Sequence, residues 1–404
     1  MFKIIKKSAG TTLKKLENTI LTLEGHEPCT DSLAEYLDTR SLVAFSQTCK
    51  ATQRMSYDAL AQRLLSAVVY GDETLAKKIV TAHPVLLLDA SATVTDISGK
   101  EIKGLTPLQA AICASDVDMV HMIFDVLQHK LQVGIHLNFE PATEIQRQFD
   151  EIYPEGMYTV EAVQKAQAQA FKDSTLTQIF AAIRAATAEQ INFELNTHNK
   201  EIIIATETEL RFEQENPGII SERRRLNVAL HNFRLQVAHI SKQERIFNPF
   251  NLIAAFELYC EQYNNFNDNG NMPFGKKALW WRQVIGYIQR HLPAYYLQAF
   301  ARGLYDIAEC GAKVERTFEF KCCGHNILPT TGKYMNLGYE FAAHHDGFID
   351  VGMYLHHRHR LEEALQWLPR FQDLLRTKNS GLEGLRNQGP NGVSSRVTFR
   401  PDAQ

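Results

Sequence analysis

Long hydrophobic runs are missing from this sequence. Nowhere in its 404 residues do about 20 apolar residues follow one another, and no segment reads as a membrane span. Charge of one sign is missing too: Lys and Arg number 43 against 46 Asp and Glu, a formal net charge of −3. Nucleic acid is thereby excluded as the main partner, because gripping a phosphate backbone needs clustered positive charge. A disulfide framework is missing, since the seven cysteines are odd in number and scattered. That pattern predicts a reducing, cytosolic setting. Gly-x-Ser-x-Gly, the P-loop, Gly-x-Gly-x-x-Gly and His-Glu-x-x-His are all absent. What is present is an ordinary apolar fraction of 45%, which excludes disorder for the bulk of the chain. The start has the basic residues of a signal peptide, but Lys14, Lys15 and Glu17 interrupt its apolar block, so an amphipathic helix is expected.

Helical periodicity dominates the rest, and the fold class it predicts is all-α with a minor β-hairpin. The hairpin falls at 91–104, where Ser98-Gly99 separates two β-prone runs. A second short strand is expected at Thr317–Lys321. Four units follow: an N-terminal segment 1–57, a unit 58–130, a helical region 131–376 and a disordered tail 377–404, rich in Gly, Asn, Ser and Arg.

Within the first unit, Asp31 can cap a helix carrying Leu33, Tyr36 and Leu37. Asp38-Thr39-Arg40-Ser41 breaks it, and the next helix carries Leu42, Phe45 and Cys49 at helical spacing. The run Tyr36-Leu37-Asp38, Leu42 and Cys49-Lys50, with Met55 at the closing apolar position, resembles the second half of an F-box. Gly25-His26 stands where that family opens with Leu-Pro, and Thr52 where a Trp is usual. The resemblance covers about 25 residues of the chain. It implies docking on the Skp adaptor of a cullin–RING ubiquitin ligase through Leu33, Tyr36, Leu37, Leu42, Phe45 and Cys49.

In the second unit a helix ends at Gly71-Asp72, and Leu75, Ile79 and Val80 mark another. The layout returns at Thr106-Pro107-Leu108-Gln109-Ala110-Ala111, followed by Asp116 and an apolar helix from Val117. This resembles the ankyrin repeat, with Gln109 in place of its His. Two such repeats bury too little surface to stand alone and must pack on a neighbour. The resemblance implies protein binding without intrinsic chemistry.

Segments 158–194, 201–214, 219–242, 249–266, 276–292, 294–311 and 358–376 read as helices of a larger region. Its aromatic stripe (Trp280, Trp281, Tyr287, Tyr295, Tyr296, Phe300 and Tyr305) is expected to be core. The combination of parts resembles type IV secretion effectors of intracellular bacteria. It implies a secreted protein acting in a host cytoplasm.

Candidate chemistry is sparse. Cys322, Cys323, His325, His344 and His345 are zinc-type ligands, but their spacing fits no finger. Glu207-Thr208-Glu209 matches a Glu-x-Glu pair, but in text that reads as an exposed helix. Cys49, Cys113 and Cys260 lie on apolar faces, where inert buried thiols are the norm. Three readings are carried forward, none of them with a cofactor. The first is an adaptor that brings an unknown target protein to the Skp–cullin ligase. The second is a protein-binding scaffold or inhibitor, and the third an enzyme with its site in 130–376.

Overall fold

The computed structural model describes residues 37–135, 137–196, 222–266, 275–302, 304, 307, 314, 320–322, 325–327, 341–343, 349–351 and 361–386. Most of these are helical, and no helix among them is long and apolar enough to cross a membrane.

Helix α1 (Thr39–Ser46) leads into α2 (Lys50–Tyr70) and α3 (Glu73–Ala82). A 3-10 turn (Pro84–Leu88) and the hairpin β1 (Thr93–Thr95) and β2 (Glu101–Lys103) follow. The strands pair antiparallel with Val94 opposite Ile102, and Gly99 takes the positive φ of 85° that closes the turn. Next come α4 (Pro107–Cys113), α5 (Val117–Gln132), α6 (Pro141–Ile152) and α7 (Met157–Phe171).

One stop-and-cap geometry occurs twice in the backbone. At Gly71 (φ 75°) the Asp72 N–H donates to Ala67 O at 2.7 Å, and the Gly71 N–H to Val68 O at 3.1 Å. The Asp72 carboxylate then accepts from Leu75 N–H at 2.9 Å. The same three bonds recur one repeat later: Asp116 N–H to Ala111 O at 2.9 Å, Ser115 N–H to Ile112 O at 3.0 Å, and Met119 N–H to the Asp116 carboxylate at 3.1 Å. Each is a Schellman stop joined to an Asp cap. Ser115 holds the left-handed position at φ 52° without being glycine.

Helices α2, α4 and α6 form one row and α3 and α5 a second, with α1 packed across α2 and α3 at one end. Helix α6 continues the first row, and its Ile145, Phe149 and Ile152 join the core formed by α2 to α5. Residue 57 lies inside α2, and the core that α2 to α5 build continues past residue 130 to Met157. The reason is burial: the row needs a third inner helix to cover α4. Polar bonds fasten it. Thr106 and Gln109 form a capping box. The Thr106 hydroxyl meets Gln148 Oε1, Gln148 Nε2 donates to Leu87 O at 3.2 Å, and Gln109 Nε2 donates to Glu151 at 2.7 Å.

Helix α7 leaves the row and packs on the second core. A π-turn (Lys172–Leu176), α8 (Thr177–Ala185) and α9 (Ala188–Asn196) break what periodicity reads as one helix over 158–194. Further on are α10 (Glu222–Gln243), α11 (Phe250–Gln262) and α12 (Gly275–Leu279). A π-turn (Trp280–Ile285) leads to α13 (Gly286–Gln289), then α14 (Ala294–Arg302). Trp280, Trp281, Tyr287, Tyr295, Tyr296 and Phe300 are buried, as the stripe predicts, while Tyr305 lies outside the described residues. The rings meet edge to face, Phe256 on Trp281 at 5.2 Å and Phe180 on Phe266 at 5.1 Å. Two hairpins follow: β3 (Phe320–Cys322) with β4 (His325–Ile327), and β5 (Phe341–Ala343) with β6 (Ile349–Val351). Only the first was expected, in part.

The last helix, α15 (Leu361–Arg386), corrects the expected tail, since it runs ten residues past 376. Its Phe371, Leu374 and Leu375 sit in the second core, while Leu382 and Leu385 sit in the repeat core. Gly381 and Gly384 cost the helix about 2 kcal/mol relative to alanine. Burying the two leucines returns about 3–6 kcal/mol. Docking thus overrides composition. Residues 387–404 lie outside the described residues.

Gly71→Ala is expected to destabilise the protein by about 1–2 kcal/mol, because the stop requires a left-handed residue. Gln148→Leu should cost about 2–3 kcal/mol by leaving Leu87 O and Thr106 without a buried partner. Urea denaturation of the two variants beside wild type measures both.

Candidate partner-binding surfaces

The first arm of the F-box-like hairpin lies outside the described residues, and its second helix, α1, is anchored from beneath. Asp38 caps α1 by accepting from Ser41 N–H at 2.8 Å, a bond that holds its carboxyl below the usual range. Arg63 of α2 donates to Leu37 O at 2.6 Å and to the Thr39 hydroxyl at 3.2 Å. The Ser46 hydroxyl lies 2.6 Å from His83 Nε2, and burial pushes that imidazole below its ordinary value.

These contacts sort the expected docking residues. Leu42 is buried, 1% exposed, in the repeat core, so it faces the chain itself and not a partner. Cys49 is the cap of α2: Thr52 N–H meets its sulfur at 3.5 Å, and its own N–H donates to the Thr52 hydroxyl at 3.1 Å. Leu37 is half-buried against the repeat core. Phe45 is half-buried beside the exposed Arg40, Ala44, Gln47 and Lys50. Leu33 and Tyr36 lie outside the described residues.

Two grooves flank α7. One, of about 580 Å³, runs between α7, α11 and α15 and is lined by Met157, Lys165, Phe250, Ile253, Leu375 and Glu383. Lys165 Nζ stands 5.2 Å from the Phe250 ring centroid, and the Tyr158 hydroxyl donates to Glu383 at 2.9 Å. The other, of about 640 Å³, runs between α7, α10 and the α10–α11 connection, lined by Val160, Val163, Gln167, Phe171, Gln236 and Ile240. Val163, 51% exposed, is one of the larger apolar side chains on the surface.

A third feature is a small cleft between the β1–β2 hairpin and the α10–α11 connection, where a few charged side chains stand among apolar ones. Asp96 Oδ1 accepts from Ser98 N–H and Lys100 N–H, each at 2.9 Å, and so shapes the turn that carries Lys100. Lys100 Nζ reaches Glu244 O, and the Glu244 carboxyl accepts from Asn248 at 3.1 Å and Asn251 at 3.3 Å. Phe247 N–H donates to Cys113 O at 2.8 Å, joining the connection to α4. Burial pushes Glu244 up to about 7, His291 down to about 4 and the Cys113 thiol up to about 12. The cleft holds about 70 Å³, room for a few water molecules. Cys113 there is a protonated core thiol, and Cys260, raised to about 11, is another.

Of the metal-type residues, Cys322 and His325 are register partners across β3 and β4. Cys323, His344 and His345 lie outside the described residues, as does Glu207-Thr208-Glu209. Among the described residues no group of three or more His, Cys, Asp or Glu is placed to hold a metal ion.

The grooves were not foreseen, because they arise from helices distant in sequence. Gln148 did leave a signal: it is a polar residue on the inward face that carries Ile145, Phe149 and Ile152. Comparison of the chain with protein-family models, curated proteins and solved structures gives no match.

The cleft generates a pH prediction. Glu244 is raised above its unfolded value of 4.5, so the stability it contributes is full below about 4.5 and is lost as pH rises through about 7. Glu244→Gln should therefore be more stable than wild type above pH 7, on the order of 2 kcal/mol, and should flatten the pH profile between 4.5 and 7. Thermal melts across that range measure it.

Proposed function

We propose that this chain is a non-catalytic adaptor that docks on the Skp subunit of a cullin–RING ubiquitin ligase and presents a bound target protein to it. The observation that supports this reading most is the placement of α1. The F-box-like helix forms the outermost layer of the repeat stack, held from inside by Leu42, Val43 and Arg63. Its other side carries Arg40 and Ala44, exposed, with Phe45 half-exposed among them. A docking helix at the end of a rigid stack leaves the rest of the molecule free to hold something else. The grooves along α7 supply that second surface, lined by apolar side chains mixed with charged and amide ones. The ligase would do the chemistry, and this protein would supply proximity between target and ligase. If the effector resemblance holds, that work would be done in a host cytoplasm.

A second reading has its own support. Leu42 and Cys49, two residues of the F-box pattern, are spent on the chain's own core and cap. A hairpin that serves only to close the repeat stack would belong to a scaffold or inhibitor that binds one protein.

Pull-down with purified Skp adaptor separates the readings. Wild type should bind. Phe45→Asp should lose binding at least tenfold while keeping its helical circular dichroism and its melting temperature, because Phe45 is only half-buried. Leu42→Asp, by contrast, should fail to fold. Absence of binding by folded wild type overturns the adaptor reading in favour of the scaffold.

A further inference from the structure

The last turns of α15 are built unlike the rest of that helix. Residues Thr377 to Arg386 read Thr-Lys-Asn-Ser-Gly-Leu-Glu-Gly-Leu-Arg. This text is poor in helix formers, yet it is helical. What holds it is the surface beneath. Leu382 and Leu385 are buried in the repeat core at 0% and 2% exposure. A methyl group at Gly381 would stand 2.9 Å from Val117 Cγ1 on α5, so a residue without a Cβ is required for that approach. Around this apolar contact lie three polar ties: Lys378 Nζ to both Asp118 carboxylate oxygens at 3.2 Å, Arg386 to Asp150 at 2.7 Å, and Glu383 to the Tyr158 hydroxyl at 2.9 Å. The N-terminal half of the same helix belongs to the other core through Phe371, Leu374 and Leu375.

We propose that residues 377–386 are a displaceable latch, helical only while docked, which covers a helix-binding surface on α5 and α6. The latch itself defines what that surface accepts. The occupant is an amphipathic helix with a small residue facing Val117, leucines one and four positions later, and a basic residue near each end for Asp118 and Asp150. In the resting protein the chain's own segment fills this role, and a partner helix of the same pattern competes with it. Release withdraws Leu382 and Leu385 from the core that contains α5 and α6, while the half of α15 that ends at Leu375 stays seated in the other.

Two glycines make this testable in opposite directions. Gly381 has no room for a side chain, while Gly384 has open space around it. In the full-length protein, Gly381→Leu should undock the latch, and Gly384→Ala should favour its helix and slow its opening about fivefold. Hydrogen exchange read by mass spectrometry is expected to show residues 377–386 exchanging fastest in Gly381→Leu and slowest in Gly384→Ala. Residues 371–375 and α5 should keep their wild-type protection in both. A labelled peptide of residues 374–386 should bind Gly381→Leu at least tenfold more tightly than Gly384→Ala. The double variant Val117→Ala, Gly381→Ala should regain the wild-type protection that Gly381→Ala alone loses. Loss of protection in α5 and α6 together with 377–386 would overturn the proposal, because the segment would then be part of the cooperative core. So would equal peptide binding by the two variants.

Discussion

A stack of two helical pairs leaves apolar faces open at both ends, and most of this chain is arranged around covering them. At one end α1 lies over α2 and α3. At the other α6 extends the inner row, and its Gln148 replaces lost water with bonds to Thr106 and Leu87. The outer row has no third member, because α7 crosses to the second core. Leu382 and Leu385 of α15 contribute to the repeat core from the far end of the sequence. The repeat unit is thus completed by residues from three separate stretches, and each was recruited by the same need to remove apolar surface from water.

The two cores are joined by shared elements and not by a linker. Ile97 of the hairpin belongs to the second core, while Val94 of the same hairpin belongs to the first. Lys100 and the Glu244–Asn248 connection close the seam with buried polar groups that must all be satisfied to be tolerated. Such a seam favours one relative placement of the two cores, since a shift of an ångström would strand buried donors. The groove between α7 and α10 inherits that rigidity.

Local rules read much of this correctly. The Gly71-Asp72 stop, the Thr106-Pro107 start, the Ser98-Gly99 turn and the burial of Trp280 and Tyr296 all follow from neighbours within a few residues. The misreadings share a cause. Residues 377–386 have the composition of a loop and become helix through contacts more than 200 residues away. The π-turns at Lys172 and Trp280 preserve apolar periodicity while changing register, so the pattern does not reveal them. At the candidate docking surface, the spacing of Leu42, Phe45 and Cys49 reads as one helix, but α1 ends at Ser46 and Cys49 caps α2 instead. Nor can the spacing say whether they face inward or outward, because an apolar face reads the same whether it meets the chain's own core or a partner.

The place of α15 also sets a timetable for synthesis. Asp118 and Lys378, which meet in the finished protein, are separated by 260 residues. At translation rates of about 5–20 residues per second, roughly 10–50 s pass between the emergence of the two. Once Ile152 has followed, α1 to α6 have been made but Leu382 and Leu385 have not. The Val117 face then stays available to any chaperone or binding helix at the ribosome, and the nascent protein passes through a stage that the mature one keeps covered.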